Sequence, residues 1–204
     1  MRKFTTEELT KFLEQIDTHL THPHEIVILG GAALSLGYDH RYRTHDIDLF
    51  KRPSKEILRA CELAQAETGL RIHLAHSTVS ETPYNADERE QSILTYLKHL
   101  QVKVLDYHDL ALSKTIRGER KDLDALQLAH EQHPFDENIL IERYTKEMNE
   151  VIGDKRRIDQ NFINLIDHLY GPMEADRVRT ILPGWTPIQK RKATKNRHRA
   201  PKKK

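Results

Sequence analysis

The apolar positions of this chain fall into blocks with two different periods. In residues 5–20 (TTEELTKFLEQIDTHL), Leu9, Phe12, Leu13, Ile16 and Leu20 share one helical face. Thr5 or Thr6 can cap that helix, acids fill its first turn, and Pro23 ends the segment. Residues 25–31 (EIVILGG) are a short β-rich run stopped by two glycines, which predicts a buried strand meeting a tight turn. Residues 32–36 predict a short helix ending at Gly37, and residues 46–50 (DIDLF) alternate polar with apolar as a strand with one wet face does. Pro53 opens a second long helix, SKEILRACELAQAET, closed by Gly69. Residues 71–76 (RIHLAH) read as a strand, 77–90 as a polar loop, 91–100 as a helix and 101–105 (QVKVL) as another strand. From Tyr107 onward the period is helical throughout, over roughly 107–117, 121–132, 137–151, 156–170 and 174–181.

Strands confined to the first half and helices filling the second predict an α+β (α/β) plan: a small mixed β-sheet followed by a helical C-terminal half. No internal repeat is visible. At 204 residues and 37% hydrophobic content, the chain can bury a core of one to one and a half domains. No apolar run approaches the ~18 residues of a membrane span, and the first residues, MRKFTTEE, lack an apolar leader region. The single cysteine, Cys61, excludes a disulfide scaffold and a multi-cysteine metal site, so a reducing, cytoplasmic setting is expected. The net charge of +2 hides an asymmetry. No Asp or Glu follows Asp176, and residues 190–204 hold nine Lys or Arg and no acid. Removing those nine charges leaves the rest of the chain at −7. An acidic globule with a basic tail is the result.

The segment richest in chemistry is ILGGAALSLGYDHRYRTHDIDLF, residues 28–50. Asp46 and Asp48 lie two apart on a predicted strand, so both carboxylates project to one side while Ile47 and Leu49 enter the core. Paired carboxylates raise each other's pKa unless a cation neutralises them. Mg²⁺ suits such a pair, because it takes one or two carboxylates together with substrate phosphates. Gly30 and Gly31, between strand and helix, remove side chains where a ligand can approach the backbone. The helix start that follows offers free N–H groups to a phosphate. A phosphate cradle beside a metal-binding pair points to nucleotide chemistry.

These residues resemble the nucleotidyltransferase fold of the polymerase-beta superfamily, and in particular the AbiEii-type bacterial toxins and related bacterial nucleotidyltransferase-like proteins. The resemblance implies that Gly30 and Gly31 hold the triphosphate of an NTP, that Asp46 and Asp48 bind Mg²⁺, and that Thr44 is the small hydroxyl residue common before the acid pair. A second block, VKVLDYHDLALSKTIRGERKDLDALQLA (residues 102–129), also matches. It implies Lys114 as a phosphate contact and Asp122 as a helper acid or structural bridge; a surface lysine and an ordinary helix cap are the plainer reading of the same two residues. Members with a full triad place a third acid on the strand after the long helix. Here that strand carries His73, a candidate base because histidine titrates near neutrality. Asp87 and Glu88 are other candidate acids. The implied organisation is a nucleotidyltransferase-like domain over 1–130, a helical region over 131–185 and a basic disordered tail over 186–204.

The expected reaction is Mg²⁺-dependent transfer of a nucleotide from an NTP to an RNA or protein acceptor, and the resemblance implies a toxin–antitoxin or phage-defence pair with an antitoxin or other protein as partner. The rival reading is a noncatalytic nucleic-acid-binding protein on the same fold, using the basic tail. Nine tail charges suffice for salt-dependent attraction to RNA phosphates, and like-charge repulsion keeps such a segment from packing. Thirteen histidines invite a zinc site, but the pairs His22 and His24, His73 and His76, and His130 and His133 lack known ligand spacing. Cys61, among small apolar neighbours on a helix, reads as a buried inert thiol.

Overall fold

The structure, a computed structural model, describes residues 2–77 and 81–182. The tail and the exit residues Pro183, Gly184 and Pro187 lie outside the described residues. Helix α1 (Thr6–Thr18) starts at a capping box in which the Thr5 side chain accepts from the Glu8 backbone while the Glu8 side chain accepts from the Thr5 N–H. It buries Leu9, Phe12, Leu13 and Ile16. Strand β1 (His24–Leu29) leads into α2 (Gly30–Gly37), followed by β2 (Ile47–Leu49), α3 (Lys55–Thr68) and β3 (Leu74–His76). After a 3₁₀ turn (Ala86–Arg89) come β4 (Gln91–Ile93) and β5 (Leu100–Val104). Helices α4 (Tyr107–Thr115), α5 (Arg120–Gln132), α6 (Glu137–Glu147), α7 (Lys155–Tyr170) and α8 (Pro172–Ile181) complete the described residues. The expected α/β plan with a helical C-terminal half is the observed one.

The five strands form one mixed sheet in the order β3-β2-β1-β5-β4. β1 runs parallel to β5 and antiparallel to β2, with Leu29 opposite Asp48. β2 runs parallel to β3, with Ile47 beside Leu74 and Asp48 beside Ala75. Burial follows from position: Ile26 to Leu29 on the central strand are all buried. The buried residues of the sheet and of all eight helices form a continuous cluster.

The structure corrects the expected helix over 91–100. Residues 91–93 are β4, antiparallel to β5 with Gln91 opposite Val104, and the chain reverses before β5. The cause is a long-range capture. The Asp17 carboxylate, at the end of α1, accepts the backbone N–H groups of Lys98, His99 and Leu100 at 3.1, 2.6 and 2.7 Å. Three consecutive amides held that way cannot serve an i→i−4 ladder, so tertiary contact overrides a helical-looking pattern.

A second polar network ties the two halves of the chain together. Asp109 of α4, fully buried, accepts from Arg89 at 2.8 Å and from Arg143 of α6 at 2.9 Å. Arg89 also reaches Glu147 at 2.7 Å. The polar ADERE stretch therefore serves the fold through its arginine, each buried charge having its partner.

Burial would raise the Asp17 carboxyl, but the three backbone N–H groups outweigh it and hold it below the ordinary aspartate value. Its stabilisation is thus present above the unfolded-state value and is lost as pH falls through the folded one. Asp17→Ala should lower unfolding free energy by about 2 kcal/mol at neutral pH, because the buried Leu100 N–H loses its acceptor and the less buried Lys98 and His99 N–H groups lose theirs to water. The check is the denaturant midpoint, and the gap from wild type should narrow in acid.

Candidate active site

The site is assembled where β1 ends, β2 begins and α4 turns into α5. Gly30 opens α2 with φ +62°, a backbone state that favours glycine. A Cβ placed there would stand 2.7 Å from Asp48 Oδ2. The antiparallel register of β1 and β2 causes this approach, since it sets Asp48 opposite Leu29. At Gly31 a Cβ would stand 2.8 Å from Thr44 Oγ1 and 3.0 Å from the Tyr42 ring. Thr44 is buried and its backbone bridges to Phe4, so it packs on the glycine turn with its hydroxyl 3.4 Å from the Asp46 carbonyl. The N-terminus of α2 has no side-chain cap, leaving its first N–H groups for a ligand.

A cavity of about 230 Å³ lies in front of this turn. Its lining takes Gly30 and Asp48 from the glycine turn and β2, Ser77 from just after β3, and Ser113, Lys114 and Arg117 from α4 and the turn that follows it. Arg157 of α7 also lines it. Three cations thus face one carboxylate around a space the size of a few phosphate groups.

Asp122, at the start of α5, organises two of those cations. It accepts from Lys114 Nζ at 3.1 Å and from Arg117 at 2.8 and 2.9 Å. Burial alone would raise its carboxyl; the Arg117 hydrogen bonds and the Lys114 charge prevail and hold it below the ordinary range. Asp122 is therefore a bridge and not the cap of α5, whose N-cap position is Glu119. From α7, Arg157 donates to the Ile116 carbonyl at 3.2 Å and Asn161 donates to the Thr115 carbonyl at 2.7 Å. These bonds satisfy carbonyls left open at the end of α4 and lock the cation-bearing turn against the helical half.

Asp48 has the opposite electrostatics. Burial raises its pKa, the neighbouring Asp46 raises it further, and Arg117 and Lys114 only partly offset this. A half-buried carboxylate with excess negative charge beside it is a fitting seat for a hard divalent cation that keeps some waters and takes the rest of its oxygens from phosphate. Asp46 and Asp48 are the residues that would hold it. Among the described residues no three His, Cys, Asp or Glu side chains gather in a metal-binding group.

The structure brings Gly30, Gly31, Thr44, Asp46, Asp48, Lys114 and Asp122 together. It does not bring in His73. That side chain is exposed and lines a different cavity, while its carbonyl accepts from the Ile47 N–H at 2.9 Å. Parallel partners project to the same face, so the residue flanking Asp48 on β3 is Ala75, which offers only a methyl group. Asp87 lines a third cavity beside Glu90 and Lys51. Sequence reasoning missed Arg117 and Arg157. Arg117 sits inside the block already singled out, between Lys114 and Asp122, whereas Arg157 carries no local signal because it arrives from a helix forty residues downstream.

Cys61 is buried, and burial pushes its thiol up to about 11, as an inert core cysteine behaves. Among the described residues no helix is long and apolar enough to cross a membrane.

Comparison with curated proteins and with solved structures returned no match. Residues 5–168 match the family described as nucleotidyltransferase of unknown function (DUF6036), a span that includes the glycine turn, both strand carboxylates, Lys114, Asp122 and Arg157. With its sheet, its glycine turn and its cation-lined cavity all inside that match, the chain belongs to the DUF6036 family of nucleotidyltransferases.

Proposed function

We propose that this protein transfers a nucleotide from an NTP, with Mg²⁺ held by Asp46 and Asp48, to a hydroxyl on an RNA acceptor. The observation that carries the reading is the single cavity in which the Asp48 carboxylate lies against Gly30 and faces Lys114, Arg117 and Arg157. Backbone N–H groups at Gly30 and Gly31 receive the β and γ phosphates. Lys114 and Arg117, held in place by Asp122, meet the charge that develops on the leaving group, and Arg157 adds a third positive charge from α7. The acceptor oxygen bonds the α-phosphorus as the bond to the bridging oxygen breaks. Pyrophosphate departs toward the cations and the hydroxyl proton goes to solvent. Bound at the acid pair, Mg²⁺ supplies Lewis-acid stabilisation of the phosphate oxygens. Fixed cations in a partly dry cavity need no rearrangement as charge moves, which is the main source of their effect. The toxin–antitoxin or phage-defence setting comes only from the sequence pattern that resembles AbiEii-type toxins; the family match itself gives nucleotidyltransferase alone.

One observation favours a second reading. With Ala75 beside Asp48, no third acid flanks the pair on β3, so a noncatalytic nucleotide- or nucleic-acid-binding protein on the same fold is the alternative. The two separate on incubation with each labelled NTP, Mg²⁺ and total RNA. Transfer of label by the wild type, lost in Asp48→Asn, is the expected result; nucleotide binding with no transfer selects the second reading.

Lys114→Ala should lower the transfer rate by about 10²–10³-fold, read as single-turnover kinetics at saturating NTP. Because the folded protein raises the Asp48 pKa, its ionised form opposes folding at neutral pH. Asp48→Asn should therefore raise the metal-free melting temperature by a few degrees while removing Mg²⁺ affinity. Mg²⁺ affinity of the wild type should fall with decreasing pH sooner than an ordinary aspartate would dictate, since a proton and the cation compete for the same oxygens. Titrations at several pH values measure it.

A further inference from the structure

A second basic concavity lies beside the residues that lead into β2 and β3. It has a volume of about 320 Å³ and is lined by Arg2, Phe4, His45, Gly69, Arg71 and His73. No carboxylate contributes to this lining. Arg2 is committed elsewhere, paired with Glu8 and lying over the Phe4 ring. His45 is tethered through Nδ1 to the Arg2 carbonyl at 2.9 Å. Arg71 and His73 are exposed, and neither side chain has an ion pair or hydrogen bond among the described residues. An arginine left unpaired in a hollow flanked by two imidazoles offers the planar fork that matches a phosphate.

Position gives the hollow its meaning. His45 immediately precedes Asp46 on the way into β2, and His73 immediately precedes Leu74, the partner of Ile47. His45 lies three positions before Asp48, at most roughly 10 Å along the chain at the rise of an extended strand. That is the reach from a chain-terminal hydroxyl to the phosphates just behind it. Two basic cavities thus adjoin the segment that carries the acid pair, one holding the glycine turn and three fixed cations, the other holding Arg71 and the imidazoles.

We propose that the Arg71, His73 and His45 cavity holds a backbone phosphate of the acceptor strand, so that the acceptor is a polynucleotide and not a protein. The proposal rests on the nucleotidyltransferase reading only for the position of the reacting hydroxyl. It gives His73 a binding role in place of the base role its sequence position suggests.

The test uses the full chain and a dye-labelled single-stranded oligoribonucleotide, with affinity followed by anisotropy over a salt series. Arg71→Ala should weaken binding about tenfold, the effect of losing one charge-assisted contact, and Arg71→Glu should weaken it more. The slope of log affinity against log salt should become shallower by about 0.7, the value for one phosphate on a single strand. Mg²⁺–ATP affinity of the same variants should be unchanged. Because the basic tail adds the same attraction to every variant, a second readout isolates the cavity: saturating oligoribonucleotide should protect Arg71 from phenylglyoxal, as read by peptide mass spectrometry. Unchanged affinity and slope with Arg71 unprotected overturns the proposal, as does label transfer onto a protein at a rate indifferent to Arg71→Ala. Failure of the transfer reading looks different, since the wild type would then transfer no label while oligoribonucleotide binding still depended on Arg71.

Discussion

The close approach of the Asp48 carboxylate to the backbone of Gly30 is the contact on which the rest of the site depends. It is set by one register, Leu29 opposite Asp48, and it tolerates no side chain at position 30. Moving that register by one residue would turn both carboxylates into the core and bring Ile47 and Leu49 to the cavity. The deep burial of Ile47 and Leu49 is what opposes such a slip. Core packing and site geometry are therefore one constraint, enforced on alternate residues of a three-residue strand.

The electrostatics of the site divide between two aspartates. Asp122 is satisfied by an arginine and a lysine, and its charge favours the fold. Asp48 is half-buried beside another acid, and its charge opposes the fold until a cation or a phosphate-bound metal compensates it. A satisfied bridge that holds two cations therefore stands across the cavity lining from an acid whose charge is only partly offset, the kind of imbalance that marks candidate sites.

The helical half is part of this site as well as a support for it. Arg157 both lines the cavity and grips the Ile116 carbonyl, and Asn161 grips the Thr115 carbonyl one residue away. The network of Arg89 and Arg143 on the buried Asp109 fixes α4 from its other end. Movement of α7 would carry a cation of the cavity lining with it, so the shape of the cavity and the docking of the helical half are coupled through the same side chain.

Much of this protein was legible in its residues. The periods of 3.6 and 2 located α1, α3, the central strand and the C-terminal helices, because burial on one face imposes those periods whatever the partner is. The glycine pair and the D-x-D alternation pointed to the candidate site for the same local reason. The run 91–100 was misread because its backbone is captured by Asp17, eighty residues earlier. Arg157 was invisible because no spacing rule links α7 to α4. His73 lies just before β3, and register, which is a property of strand pairs, puts Ala75 beside Asp48 while the imidazole lines another cavity. The sequence by itself determined which segments are helix or strand and which residues carry the glycine turn and the acid pair, since those follow from neighbours a few positions away. Only the tertiary structure decided which cations meet that pair and which candidate base does not, since those contacts depend on register and on helix docking across long separations.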